Sequence, residues 1–134
     1  MAFASAEEAA LAGDRTSAET KVLTSVQSGP HAAVLITSPG WPQPDLVFCY
    51  QDQTGWTEGS STTGATVWSH AEDDPPGVGQ LVCWHEAEPG SQRVRVLFRG
   101  RTIERPVEDG YVIWIADSIA EEHVDDEAQF TWLP

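Results

Sequence analysis

The sequence predicts a mainly β chain: an antiparallel β-sandwich with an N-terminal helix, a small open β-barrel being the alternative. Three observations carry that expectation. From His31 onward, short runs of Val, Ile, Leu, Phe, Trp and Tyr are separated by clusters of Gly, Pro, Asp and Ser, the pattern of strands divided by turns. About seven such runs follow one another at the spacing of sandwich and barrel folds. Within residues 93–98, Arg93, Arg95 and Leu97 alternate with Val94, Val96 and Phe98, as in a half-buried antiparallel strand.

The elements follow in order. Residues 5–28 read as helix, because Ala18, Val22 and Val26 recur at spacing four with Leu23 beside them. Thr16 and Glu19 have capping-box spacing, and Gly29-Pro30 is a natural stop. Gly13-Asp14 separates an earlier turn around Phe3, Ala6 and Ala10 from this helix. The competing reading is a strand, since Val22, Thr24 and Val26 also alternate.

Ala32–Thr37 is a short apolar strand, and the proline-rich stretch 38–44 after it cannot continue a ladder. Leu46–Tyr50 is the next strand, and residues 51–55 turn toward Trp56. Residues 57–66 are small and polar, a loop or weak edge strand, before a short strand at Val67-Trp68. Residues 71–79 form an acidic loop rich in breakers. Four strands follow at Gln80–His85, Arg93–Phe98, Arg101–Arg105 and Tyr111–Ala116. The turns between them contain Pro89-Gly90, Arg99-Gly100 and Asp109-Gly110, so a meander of hairpins is expected. Tyr111–Ala116 is apolar on both faces and reads as a strand lying centrally between layers. Residues 117–127 are an acidic, partly helical tail, and Phe130–Leu133 is a last strand.

A length of 134 residues suits one domain, 1–134, with a β core over 31–134. Net charge is −14, from 21 acidic against 7 basic residues. Phosphate backbones and anionic membrane surfaces are repelled by such a chain, so neither nucleic acid nor membrane is an expected partner. Glu7 and Glu8 interrupt the start where a signal peptide needs hydrocarbon, and no apolar stretch reaches the length of a membrane span. The expected compartment is the cytoplasm. Cys49 and Cys83 are then buried thiols rather than a disulfide.

No catalytic residue is assigned and no cofactor is expected. Ser60 and Ser61 sit in a glycine-containing loop, but neither has the Gly-x-Ser-x-Gly pattern of a nucleophile elbow. Cys83 and His85, two apart on one strand, share a face and are weak candidates for a metal site. Cys49, His70 or His123 would have to complete it, without any paired ligand spacing. The acidic clusters Glu72-Asp73-Asp74 and Glu121–Glu127 lack the alternation of a calcium loop. Trp41 and Trp56 flank loops, where they serve either as anchors or as stacking platforms.

Charge segregation is the most informative feature. Five of the seven basic residues, Arg93, Arg95, Arg99, Arg101 and Arg105, lie in one hairpin opposed only by Glu104, which leaves +4 on residues 93–105. Arg93, Arg95 and Arg99 are expected on one face. Guanidinium groups in that arrangement suit carboxylates or phosphates. The alternative is pairing within the chain to Glu104, Glu108 and the acidic tail.

The leading expectation is therefore a non-enzymatic, protein-binding or self-associating β-domain that docks through Arg93, Arg95, Arg99 and Arg101. A small enzyme with a pocket in the β core, using Tyr50, His70 or His85, is the second reading. A metal-dependent domain using Cys83 and His85 is the third.

Overall fold

In the computed structural model, which describes residues 2–13, 16–70 and 74–134, the β content predicted from sequence is realised as antiparallel sheets that do not close into a barrel. The chain divides into two compact units, Met1–Gly64 and Ala65–Pro134. Each has its own hydrophobic cluster.

In the first unit, one helix, α1 (Ala6–Leu11), precedes four strands: β1 (Lys21–Ser28), β2 (His31–Thr37), β3 (Asp45–Asp52) and β4 (Gly55–Thr62). They form a meander in the order β1-β2-β3-β4. The apolar face of the sheet presents Ala32, Val34 and Ile36 beside Val47, Cys49 and Trp56, and Ala6, Ala9 and Ala10 of α1 pack on them. Alanine allows the helix backbone to approach the sheet closely. Ser5 caps α1, its hydroxyl accepting the Glu8 amide at 3.1 Å, with Glu7 and Glu8 in the favourable first turn.

The expected helix over 5–28 is therefore corrected: among its described residues only Ala6–Leu11 is α-helical, and Lys21–Ser28 is a strand. Two local features explain the difference. A bulge between Val22 and Thr24 shifts the side-chain alternation of β1. Strand spacing interrupted by one extra residue thus mimics a helical stripe at Val22, Leu23 and Val26. The Thr16 hydroxyl, read as a helix cap, instead lies 2.7 Å from the carbonyls of Leu11 and Gly13.

The second unit holds β5 (Thr66–Ser69), β6 (Val78–Glu86), β7 (Arg93–Phe98), β8 (Arg101–Pro106), β9 (Tyr111–Ala120), a 3-10 turn (Glu121–His123) and β10 (Gln129–Leu133). Two three-stranded sheets result, ordered β5-β6-β9 and β10-β7-β8. Leu81, Cys83, Val112 and Trp114 from one sheet meet Val94, Val96 and Phe98 from the other in a common core. This is a sandwich. Phe98 and Trp114, both almost fully buried, sit with ring centroids 5.5 Å apart.

Two expectations for residues 80–117 are corrected. Among their turns, only Arg99-Gly100 joins two consecutive strands as a hairpin, with φ of 49° and 79°. β6 pairs with β9, so the chain crosses to the other sheet after Glu86 and returns after Pro106. Tyr111–Ala116 is not central: β9 is an edge of its sheet, although Val112, Ile113 and Trp114 are all buried. β6 occupies the centre. Its Gly79 passes so close to β5 that a Cβ there would lie 2.3 Å from the Ser69 carbonyl oxygen, which is why no larger residue fits.

Candidate functional site

The arginine hairpin is β7 and β8. Side chains two apart on a strand share a face, and β7 alternates exposed and buried along its whole length. Val94, Val96 and Phe98 enter the core, while Arg93, Arg95 and Leu97 stand on the outward face, Leu97 being 43% exposed. In register, Arg95 lies between Glu104 of β8 and Thr131 of β10, and Arg93 between Pro106 and Leu133.

Each arginine has a partner within the chain. Arg95 places Nε and Nη2 at 3.0 and 2.8 Å from Glu104 Oε1. Arg93 Nη2 approaches the other oxygen, Oε2, at 3.6 Å. The two guanidiniums thus share one carboxylate, which holds Glu104 below the usual carboxylate range, the Arg95 hydrogen bond being the largest cause. All three side chains are about half exposed, so solvent screens the pairs and each contributes little to stability.

The expected common face for Arg93, Arg95 and Arg99 is half right. Arg99 occupies the turn and pairs with Asp126. Arg101 and Arg105 oppose the core residues Phe98 and Val94 in register and so lie on the inward side of β8. From there Arg101 Nη1 donates to the Asp117 carbonyl at 2.6 Å, and Arg105 Nε to the Ile113 carbonyl at 2.9 Å. Both clip β8 to the edge of β9. Burial pushes the Arg105 guanidinium below its ordinary pKa, opposed by Glu108.

Cys83 and His85 do share a face of β6, but their chemistry is that of a core. Cys83 lies in the sandwich interior, and burial pushes its thiol up to about 11, against a hydrogen bond with Thr66. The indole Nε1–H of Trp114 donates to His85 Nε2 at 3.2 Å. An indole nitrogen only donates, so His85 Nε2 must accept and the ring is neutral, with its proton on Nδ1. Burial lowers the His85 pKa in the same sense. Phe130 meets the ring edge-on at 4.8 Å. A metal at Nε2 would have to displace Trp114. Among the described residues no group of three or more His, Cys, Asp or Glu is placed to hold a metal ion.

The remaining candidates are scattered. Cys49 belongs to the first unit, where burial, then Glu58 and Glu7, push its thiol up to about 12. Both cysteines are free thiols. Tyr50 is an exposed β3 residue, and Ser60 and Ser61 stand exposed on β4. His70 places Nδ1 2.6 Å from the Val78 carbonyl and stacks on Trp68. His123 lies beside Glu122 and Asp126. Glu72 and Asp73 fall outside the described residues, and Asp74 accepts from Gln80 Nε2 at 3.0 Å. Trp56 is buried and Trp41 packs against the first core, so both anchor their segments. An open cleft of about 330 Å³ is lined by Glu19, Lys21, Thr37, Ser38 and Pro39, without histidine or aromatic ring.

One feature escapes a reading of charges and motifs. β10 is an edge strand, paired among the described residues only to β7, with Phe130 38% exposed and stacked on Trp132. Its signal in the sequence is two aromatics spaced by two in an uncharged run, Gln-Phe-Thr-Trp-Leu.

No family model, curated protein or solved structure matches the chain.

Proposed function

We propose that this chain is a non-enzymatic, protein-binding β module whose contact surface is the outward face of the β10-β7-β8 sheet. Arg93 and Arg95 are the recognition residues there, and Leu97 is the apolar contact beside them. The observation that carries the reading is the sharing of Glu104 by two guanidiniums, which leaves one positive charge in excess on an exposed sheet face. The rest of the chain is strongly acidic, so this spot contrasts with its surroundings. Guanidinium groups on a flat, half-exposed face favour a carboxylate from a partner, with bidentate geometry fixing its orientation. Arg99, Arg101 and Arg105 take structural roles instead, through Asp126 and the edge of β9.

The test is a titration with a fluorescein-labelled nine-residue peptide of alternating valine and glutamate, read by anisotropy in 0.15 M salt. The native protein is expected to bind it. Arg93→Gln with Arg95→Gln should weaken binding at least tenfold while leaving the melting temperature within a few degrees, because the ion pairs lost are exposed. Equal binding by both proteins, or no binding by the native one, refutes the reading. A large drop in melting temperature assigns the two arginines to the fold.

A further inference from the structure

We infer that the partner segment binds as an added strand on the free edge of β10, extending the β10-β7-β8 sheet. This rests on the docking reading above and specifies its mode and its ligand: an extended segment with apolar side chains on one face and carboxylates on the other.

The inference starts from how the edges of the molecule are protected. A strand edge presents backbone donors and acceptors to any passing chain, and folded proteins blunt it with charge, proline, bulges, shortness or a cover. β8 carries Arg101, Glu104 and Arg105 and ends at Pro106. The edge of β9 has its Ile113 and Asp117 carbonyls bonded by Arg105 and Arg101. β5 is only four residues long. β1 starts at Lys21 and is bulged, and the start of β4 is bridged by Phe3. β10 lacks the charge, the proline and the bulge that blunt the other edges. Its five residues contain no charge and no proline, and they pair with β7 in unbroken register. Among the described residues no strand pairs with its other side.

The occupant follows from what flanks that edge. Trp132 and Phe130 oppose the core residues Val94 and Val96 in register, so they stand on the inward side. Phe130 remains substantially exposed there. A partner strand beside β10 therefore meets aromatic surface with every second side chain. Its other side chains lie on the outward face, in line with Thr131 and Leu133 and, one strand further, with Arg95 and Arg93. Two strand spacings amount to roughly 10 Å, a gap that an arginine and a glutamate span between them. Arg93 is the freer of the two, its contact with Glu104 being the longer at 3.6 Å. Local charge thus selects an acidic outward row. A second copy of this chain is disfavoured by the net charge of −14 on each.

The experiment uses the same valine–glutamate peptide and two isomers of it, one N-methylated on the valine amides and the other on the glutamate amides. Only alternate amides of an added strand face the sheet. One isomer should lose binding at least tenfold while the other keeps it. Phe130→Ala should weaken the parent peptide severalfold, and a valine–lysine peptide should bind at least tenfold less tightly than valine–glutamate. Both isomers binding like the parent would overturn strand addition, as would a valine–lysine peptide that binds equally well. Binding that depends on Arg93 and Arg95 but ignores N-methylation leaves the docking reading standing and removes this one. A stable dimer, seen by light scattering without peptide and competing with it, assigns the edge to a second copy and overturns the inference.

Discussion

Trp114→Ala probes the junction of the two sheets in the second unit, because that indole is 1% exposed and touches both. A buried tryptophan removes about 150–250 Å² from water. At roughly 25 cal/mol per Å², most of it lost on truncation, that gives an upper figure of about 4–6 kcal/mol. Partial collapse around the void sets the expected cost at about 3–5 kcal/mol, the range for large aromatic truncations. The indole N–H also leaves His85 Nε2 without its donor, a loss of about 1 kcal/mol. Trp114→Phe separates the two contributions. It keeps ring packing against Phe98 and removes only the donor and part of the area, so it should cost about 1–2 kcal/mol. Urea unfolding followed by far-UV circular dichroism at pH 7.5 measures both. A cost below about 1 kcal/mol for Trp114→Ala would refute the placement of this residue in a shared, close-packed core. Equal costs for Ala and Phe would refute the division between packing and hydrogen bonding.

Two further outcomes follow from titratable groups whose pKa burial shifts. His85 is held neutral, with its pKa below the ordinary 6.5 because of burial. The unfolded chain therefore takes up a proton near pH 6.5 that the fold resists, and stability falls as pH drops below that value toward the folded pKa. In His85→Gln, which keeps an acceptor for Trp114 but does not titrate, the stability difference from the native protein should move in the variant's favour between pH 7.5 and 5.5. A constant difference would remove the neutral His85 from the account of the core. The thiols of Cys49 and Cys83, pushed up to about 12 and about 11, stay protonated at pH 8. Since the thiolate is the reactive form, neither should react with iodoacetamide within an hour under native conditions, and both should react in denaturant. Rapid native labelling of either would contradict its burial.

How much was legible in the sequence differs by element. Residues 93–106 read correctly because alternation and an Arg-Gly turn are both local signals, and the hairpin they specify needs no distant partner. β1 does not read as a strand because its alternation is interrupted by a bulge that only pairing with β2 reveals. The placement of β9 depended on which strand it found. Glu108-Asp109-Gly110 does form a tight turn, with reciprocal Glu108 and Tyr111 hydrogen bonds at 2.9 Å, yet the following strand pairs with β6 across a long sequence separation. Local chemistry specifies the turn and says nothing of the partner. The site shows the same division. Alternation put Arg93 and Arg95 on an outward face, but the inward position of Arg101 and Arg105 follows from the register of β8 against β7. The exposed edge of β10 depends on strand order, which no residue pattern encodes.

Amide hydrogen exchange, with and without the valine–glutamate peptide, tests docking at this sheet most directly. Protection should rise in residues 129–133 and 93–98 and stay unchanged across the first unit. Protection confined to other segments, or none at saturating peptide, would contradict it.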